Sequence, residues 1–223
     1  MRFSLFILCL IQFVFAVNPA QAQAVHPPFW NEIQQFKQQD SLNPPPAHAI
    51  LFVGSSSFRI WKTLSDDFPG YTVINRGFGG STIPDVMRYA DEIIFPYHPK
   101  QIVIYCGDND AASSSIITVD SIYNRFVQLY DLIRKKLPDA EITFISIKPS
   151  PSRQQLMPLM DAANWKIQQF LSKQPHANFI DVYHLMLDEK GLPRKDLFLP
   201  DMLHMNRKGY LIWIQAIQPH LIQ

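Results

Sequence analysis

The chain has 223 residues, 47% of them hydrophobic, which is enough for one well-buried domain and does not force a second. Lys+Arg 20 against Asp+Glu 19 leaves a formal net charge of +1, and no basic cluster is longer than Arg134-Lys135-Lys136. That balance argues against a nucleic-acid partner, and nothing in the sequence points to an obligatory protein partner.

Residues 1–17 hold one basic residue, Arg2, in an almost unbroken apolar run, followed by Asn18, Pro19 and the small-residue pattern Ala20-Gln21-Ala22. This is the layout of a secretory signal peptide cleaved after Ala22 or Ala24, and it predicts a secreted or periplasmic protein; a retained membrane anchor is the alternative. No later stretch is long enough to span a bilayer. Cys9 lies inside the leader, so only Cys106 remains in the mature chain, and one cysteine forms no internal disulfide. The expected division is a signal peptide over 1–22, an N-terminal helix and proline-rich linker over 23–46, and the main domain over 47–223.

Phe29, Ile33 and Phe36 recur at helical spacing before the Pro44-Pro45-Pro46 break, which predicts a helix packed outside a sheet. Residues 50–53 are continuously apolar and run into Gly54 and three serines, the pattern of a buried parallel strand, a tight turn and a helix start. A short helix is expected over 58–64, stopped near Phe68-Pro69-Gly70. A second strand is expected over 71–74, ending in a glycine-rich turn over 75–82. The helix after it starts at Pro84 and turns Val86, Met87, Ala90, Ile93 and Ile94 inward. The Gly77-x-Gly79-Gly80 turn lacks the full dinucleotide-binding spacing, so no cofactor is expected. Further strands are expected over 102–105, 142–147 and 179–182, with helices over 119–137 and 156–171. Asn206 reads as the N-cap of a last helix carrying Tyr210, Ile214 and Ile217. Strands alternating with helices predict an α/β fold, a doubly wound five-stranded parallel sheet in order 2-1-3-4-5, packed as a three-layer α/β/α sandwich.

In such a sheet, catalytic groups collect at the carboxyl ends of the strands. Ser55, Ser56 and Ser57 stand there, as candidate nucleophiles or simply as helix caps. Asp201 and His204, three residues apart, can supply a base and the carboxylate that orients it, although the same pattern also suits a surface ion pair. The remaining histidines, His26, His48, His98, His176, His184 and His220, show no comparable partner. No spaced His or Cys ligands suggest a metal. The Gly80 N–H, the Asn109 amide and the Ser56 N–H come from the ends of neighbouring strands and can surround one small volume, as an oxyanion requires; Asn109 also suits a plain turn.

Four blocks, Gly54-Ser55-Ser56, Asn75 to Gly80, Gly107-Asp108-Asn109-Asp110 and Asp201-x-x-His204, resemble in order and spacing the signature blocks of the SGNH hydrolases, the GDSL-type esterases and lipases. The resemblance covers nearly all of the mature chain and is closest to the branch reading GSSS, similar to platelet-activating-factor acetylhydrolase-like esterases. It implies Ser56 as nucleophile, His204 as base, Asp201 as its orienting acid, and Gly80 and Asn109 as oxyanion donors. Ser55 stands where the family's name has an acid, so hydrogen bonds made by that acid are in question. The expected function is an exported serine esterase acting on short or medium acyl esters of a small molecule, glycan or lipid through an acyl-enzyme that water hydrolyses, with no cofactor and no metal. Carbohydrate deacetylase, lysophospholipase and thioesterase activities are alternatives within the fold. A non-catalytic glycan- or lipid-binding module is the alternative of another class.

Overall fold

Residues 50–53 are apolar without interruption because both faces of their strand are covered. In the computed structural model, which describes residues 26–223, Leu51 and Val53 face one hydrophobic cluster while Ile50 and Phe52 face another. The five strands are β1 (Ile50–Gly54), β2 (Val73–Gly77), β3 (Gln101–Tyr105), β4 (Glu141–Ile145) and β5 (Ala177–Ile180). All pairings are parallel and the order is β2-β1-β3-β4-β5, as the sequence predicts.

One face is covered by α1 (Trp30–Leu42), α4 (Ile83–Arg88), α5 (Ala90–Ile93), α7 (Val119–Lys136) and α8 (Met157–Leu171). The other is covered by α2 (Ser56–Arg59), α3 (Leu64–Asp67) and α9 (Arg207–Ile217). The three layers follow from this split. On the α9 side, Phe58 meets Phe52 edge-on at 5.3 Å and lies 6.0 Å from Tyr105 and 6.1 Å from Trp213. Such pairs contribute about 0.5–1.5 kcal/mol each beyond burial. Their local effect is to anchor α2, the short helix headed by Ser56.

Several boundaries differ from the sequence reading. The segment expected as one helix over 58–64 is two, α2 and α3, joined by a turn. The helix after Pro84 is likewise split at Tyr89 into α4 and α5. β2 begins two residues later than expected and takes in Asn75, Arg76 and Gly77, which had been placed in the turn. Arg76 fits a strand because its guanidinium is neutralised by Asp40 of α1, bonded to Tyr97 and set over the Phe36 ring. β4 and β5 each begin and end up to two residues earlier than expected. Residues expected as a loop after β3 form a further helix, α6 (Asp108–Ala112). The leader and its cleavage position lie outside the described residues. Among those described, no helix is long and apolar enough to cross a membrane.

Candidate active site

The register of the central strands aligns Gly54 with Gly77 on one side and with Tyr105 on the other. At Gly54, φ is +144°, and a Cβ there would lie 1.9 Å from the Tyr105 carbonyl oxygen, so only glycine fits. That carbonyl accepts the Ser55 N–H at 3.0 Å, which turns the chain sharply into α2. Ser55 is the N-cap residue and is fully buried, but its hydroxyl neither caps the helix, as the serine pattern would allow, nor finds a partner among the described residues. Ser57 is also buried, and its carbonyl accepts the Tyr210 hydroxyl. Ser56, the first residue of α2, is the one of the three that is only partly buried. Its N–H belongs to the first helical turn and has no intrahelical acceptor.

His204 Nε2 lies 3.1 Å from Ser56 Oγ across a sequence separation of 148 residues. On the other side of the ring, Nδ1 is 2.6 Å from Asp201 Oδ2. The second carboxylate oxygen, Oδ1, accepts the N–H groups of Leu203 and His204 at 3.0 Å each. Burial by itself would raise the Asp201 carboxyl; the His204 ring and the two backbone donors outweigh it and bring the pKa down to about 2. Asp201 is therefore ionised at neutral pH and can only accept. In the neutral ring the proton then sits on Nδ1, and Nε2 is left to accept the Ser56 hydroxyl. The turn holding this pair is a tight one, with Met202 at φ 54°.

Asn109 belongs to α6, and its side chain reaches the turn after β2. Nδ2 donates to the Ser81 carbonyl at 3.1 Å, and a Cβ on exposed Gly80 would sit 3.7 Å from that same nitrogen. Ser81 in turn donates its hydroxyl to the Gly54 carbonyl. Gly80 and Asn109 thus adjoin, and Ser81 ties them to the end of β1. Asp110, fully buried, accepts the Ile83 N–H and pairs with Arg125 at 2.8 Å, locking the start of α4 to α6. Burial pushes its carboxyl above the usual range.

Two features escape the sequence reading. Lys148 and Arg153 pack around Asp108 beside Asn109, the lysine almost wholly buried and its ammonium pulled down by burial. Nothing local in the sequence marks them. The second could have been found: Asp181-x-x-His184 repeats the spacing of the first pair, and His184 Nδ1 lies 2.6 Å from Asp181 Oδ2, so the expectation of no comparable partner for His184 is corrected. The two pairs differ in what surrounds them. His184 lines a cavity of about 600 Å³ with Pro158, Trp165 and Tyr183, and no serine, threonine or cysteine lines it. Of the two rings, His204 is the one with a serine hydroxyl within hydrogen-bond distance. Among the described residues no three His, Cys, Asp or Glu converge to hold a metal ion.

The model of the GDSL-like lipase/acylhydrolase family matches residues 51–212. Among solved structures, a protein assigned as an acylhydrolase from Bacteroides fragilis superposes with a TM-score of 0.74 at 21% identity, over 86% of this chain and 96% of that one. A GDSL-like lipase from Bacteroides thetaiotaomicron gives 0.73 at 18% identity, over 84% and 96%. A variant of an acetyl-xylooligosaccharide esterase from Geobacillus stearothermophilus gives 0.62 at 16% identity, over 78% and 94%. Among curated proteins none matches the chain.

Proposed function

The chain belongs to the GDSL-like lipase/acylhydrolase family and is an ester-bond hydrolase; from that premise we propose that it is an exported serine esterase that cleaves short or medium acyl esters through an acyl-enzyme. The observation that carries the reading is the continuous relay from Ser56 Oγ to His204 Nε2 at 3.1 Å and from Nδ1 to Asp201 at 2.6 Å. Serine is a poor nucleophile until its proton leaves, and a base with its tautomer fixed by a carboxylate removes it.

In the first half-reaction His204 takes the Ser56 proton as Oγ attacks the acyl carbon. The oxyanion forms toward the Ser56 N–H, the Gly80 N–H and Asn109 Nδ2, and His204 then returns the proton to the leaving alcohol. In the second, His204 deprotonates water as it attacks the acyl carbon, and then returns that proton to Ser56 Oγ as the bond from Oγ to the acyl carbon breaks, which releases the acid and restores the free enzyme. Asp201 stabilises the imidazolium at both stages without itself taking the proton. No step calls on a cofactor.

The likeness to an acetyl-xylooligosaccharide esterase favours a second reading of the alcohol half, an acetylated saccharide. Both are tested together by following hydrolysis of p-nitrophenyl esters from acetate upward and acetate release from acetylated xylooligosaccharides. Turnover of either, abolished in Ser56→Ala, is the expected result. Inactivity of the native enzyme at high concentration on all of these and on lysophospholipid and acyl-thioester substrates would favour the non-catalytic binding module.

A further inference from the structure

A side-chain amide can act as an oxyanion donor only when its nitrogen end faces the substrate, and the two ends of Asn109 are nearly the same size. What decides the orientation is the surrounding hydrogen bonding. Arg153 Nη2 donates to Asn109 Oδ1 at 2.9 Å. A guanidinium only donates, so the amide oxygen must face Arg153 and the nitrogen must face Ser81 and Gly80. The same guanidinium contacts Asp108 Oδ2 through Nη1 at 3.2 Å, and Lys148 Nζ reaches that oxygen at 3.4 Å. Asp108 closes the ring, since its Oδ1 accepts the Asn109 backbone N–H at 3.0 Å.

Arg153 therefore hydrogen-bonds the Asn109 carbonyl through Nη2 while Nη1 pairs electrostatically with the Asp108 carboxylate, which holds the guanidinium in place beside the amide. Removing it takes away one of the two bonds that orient the amide and leaves only the Ser81 carbonyl to hold the nitrogen end in place; in the fraction that rotates by half a turn, the carbonyl would face the developing oxyanion, which it would repel. A cation on the amide oxygen also polarises the amide and strengthens its N–H as a donor, by about 10–30 per cent. The short turn that carries Arg153, Pro151–Leu156, is itself fixed to the other half of the site, because the Ser152 N–H donates to the Met202 carbonyl at 3.0 Å inside the Asp201–His204 turn.

We infer that Arg153 is a positioning residue that holds the amide of Asn109 with its nitrogen toward the reacting carbonyl, an inference that rests on the esterase reading above. The test is a double-mutant cycle on ester hydrolysis, with Arg153→Met, Asn109→Ala and their combination, each checked by melting temperature. Arg153→Met should lose about 10- to 100-fold in kcat with KM within about twofold, less than removal of the donor itself. In the Asn109→Ala background the same change should cost less than about threefold, because there is no amide left to orient.

Arg153→Lys keeps the charge beside Asp108 but cannot span both oxygens, and should recover only part of the loss. It also serves as the measured variant if Arg153→Met does not fold. Equal losses in both backgrounds, or a rise in KM with kcat held, would overturn the inference. If Asn109→Ala lowers kcat and the arginine variants do not, this inference alone fails. If neither Asn109→Ala nor Ser56→Ala lowers kcat, the esterase reading has failed beneath it.

Discussion

Replacing Gly80 by alanine separates chemistry from stability at a single atom. Gly80 is exposed, its φ lies outside the left-handed range, and the nearest contact of an added Cβ is Asn109 Nδ2 at 3.7 Å. The methyl group therefore fits without strain, and the loss of backbone freedom in the unfolded chain stabilises by about 0.4–1 kcal/mol. For a domain of this size that leaves Tm unchanged or raises it by up to about 2–4 °C. The same methyl stands against the nitrogen that the oxyanion must approach to about 2.9 Å, so the oxygen is held off at least one donor. One lost donor costs about 3–4 kcal/mol of transition-state stabilisation, or about 10²- to 10³-fold in kcat. Steady-state hydrolysis of p-nitrophenyl acetate alongside a thermal melt reads both effects. A kcat within threefold of the parent at unchanged Tm would refute the placement of the oxyanion between Gly80 and Asn109.

Asn109→Ala should lose about 10²- to 10³-fold in kcat with KM little changed; a raised KM with kcat held would make it a substrate-binding or loop residue instead. His184→Gln should leave kcat and KM unaltered, because no serine, threonine or cysteine lines the cavity beside the Asp181–His184 pair, and a large loss would assign the base to that pair instead of Asp201–His204. Asp67 accepts both guanidinium nitrogens of Arg207 at 2.6 Å, which brings its carboxyl from 3.8 down to about 2. A depressed carboxyl stabilises the fold above its unfolded pKa and ceases to do so as pH falls through the folded one. With Arg207 half-exposed, Asp67→Asn should cost about 1 kcal/mol at pH 7 and nearly nothing near pH 2; urea melts at both pH values check this, and a pH-independent difference would contradict it.

The sheet was legible because burial on both faces leaves an unmistakable run such as 50–53, and the helices α7, α8 and α9 because one apolar stripe repeats every three or four residues. The serine turn, the Asp201–His204 spacing and Asn109 stood out through the order and spacing of the four blocks that resemble the SGNH hydrolases, since each alone suits a helix cap, a surface ion pair or a plain turn. What was hidden depends on charges neutralised from far along the chain. Asn75 and Arg76 read as a polar turn until Asp40 and Tyr97 are seen to bury the arginine within β2. Residues 108–112 carry no apolar periodicity of their own, and the helix expected after β3 starts only at 119; Asp108 and Asp110 are held inside the protein by Lys148, Arg153 and Arg125. Arg153 could not be singled out at all, since its partners lie more than 40 residues away in sequence.

The central claim is that one hydroxyl among three adjacent serines carries the reaction. A fluorophosphonate probe followed by peptide mapping tests it most directly. Ser56 is only partly buried at the head of α2 with His204 Nε2 at 3.1 Å, while Ser55 and Ser57 are buried. The account predicts a single adduct on Ser56, absent in Ser56→Ala and strongly slowed in His204→Gln. An adduct on Ser55 or Ser57, with Ser56→Ala still hydrolysing esters, would contradict it.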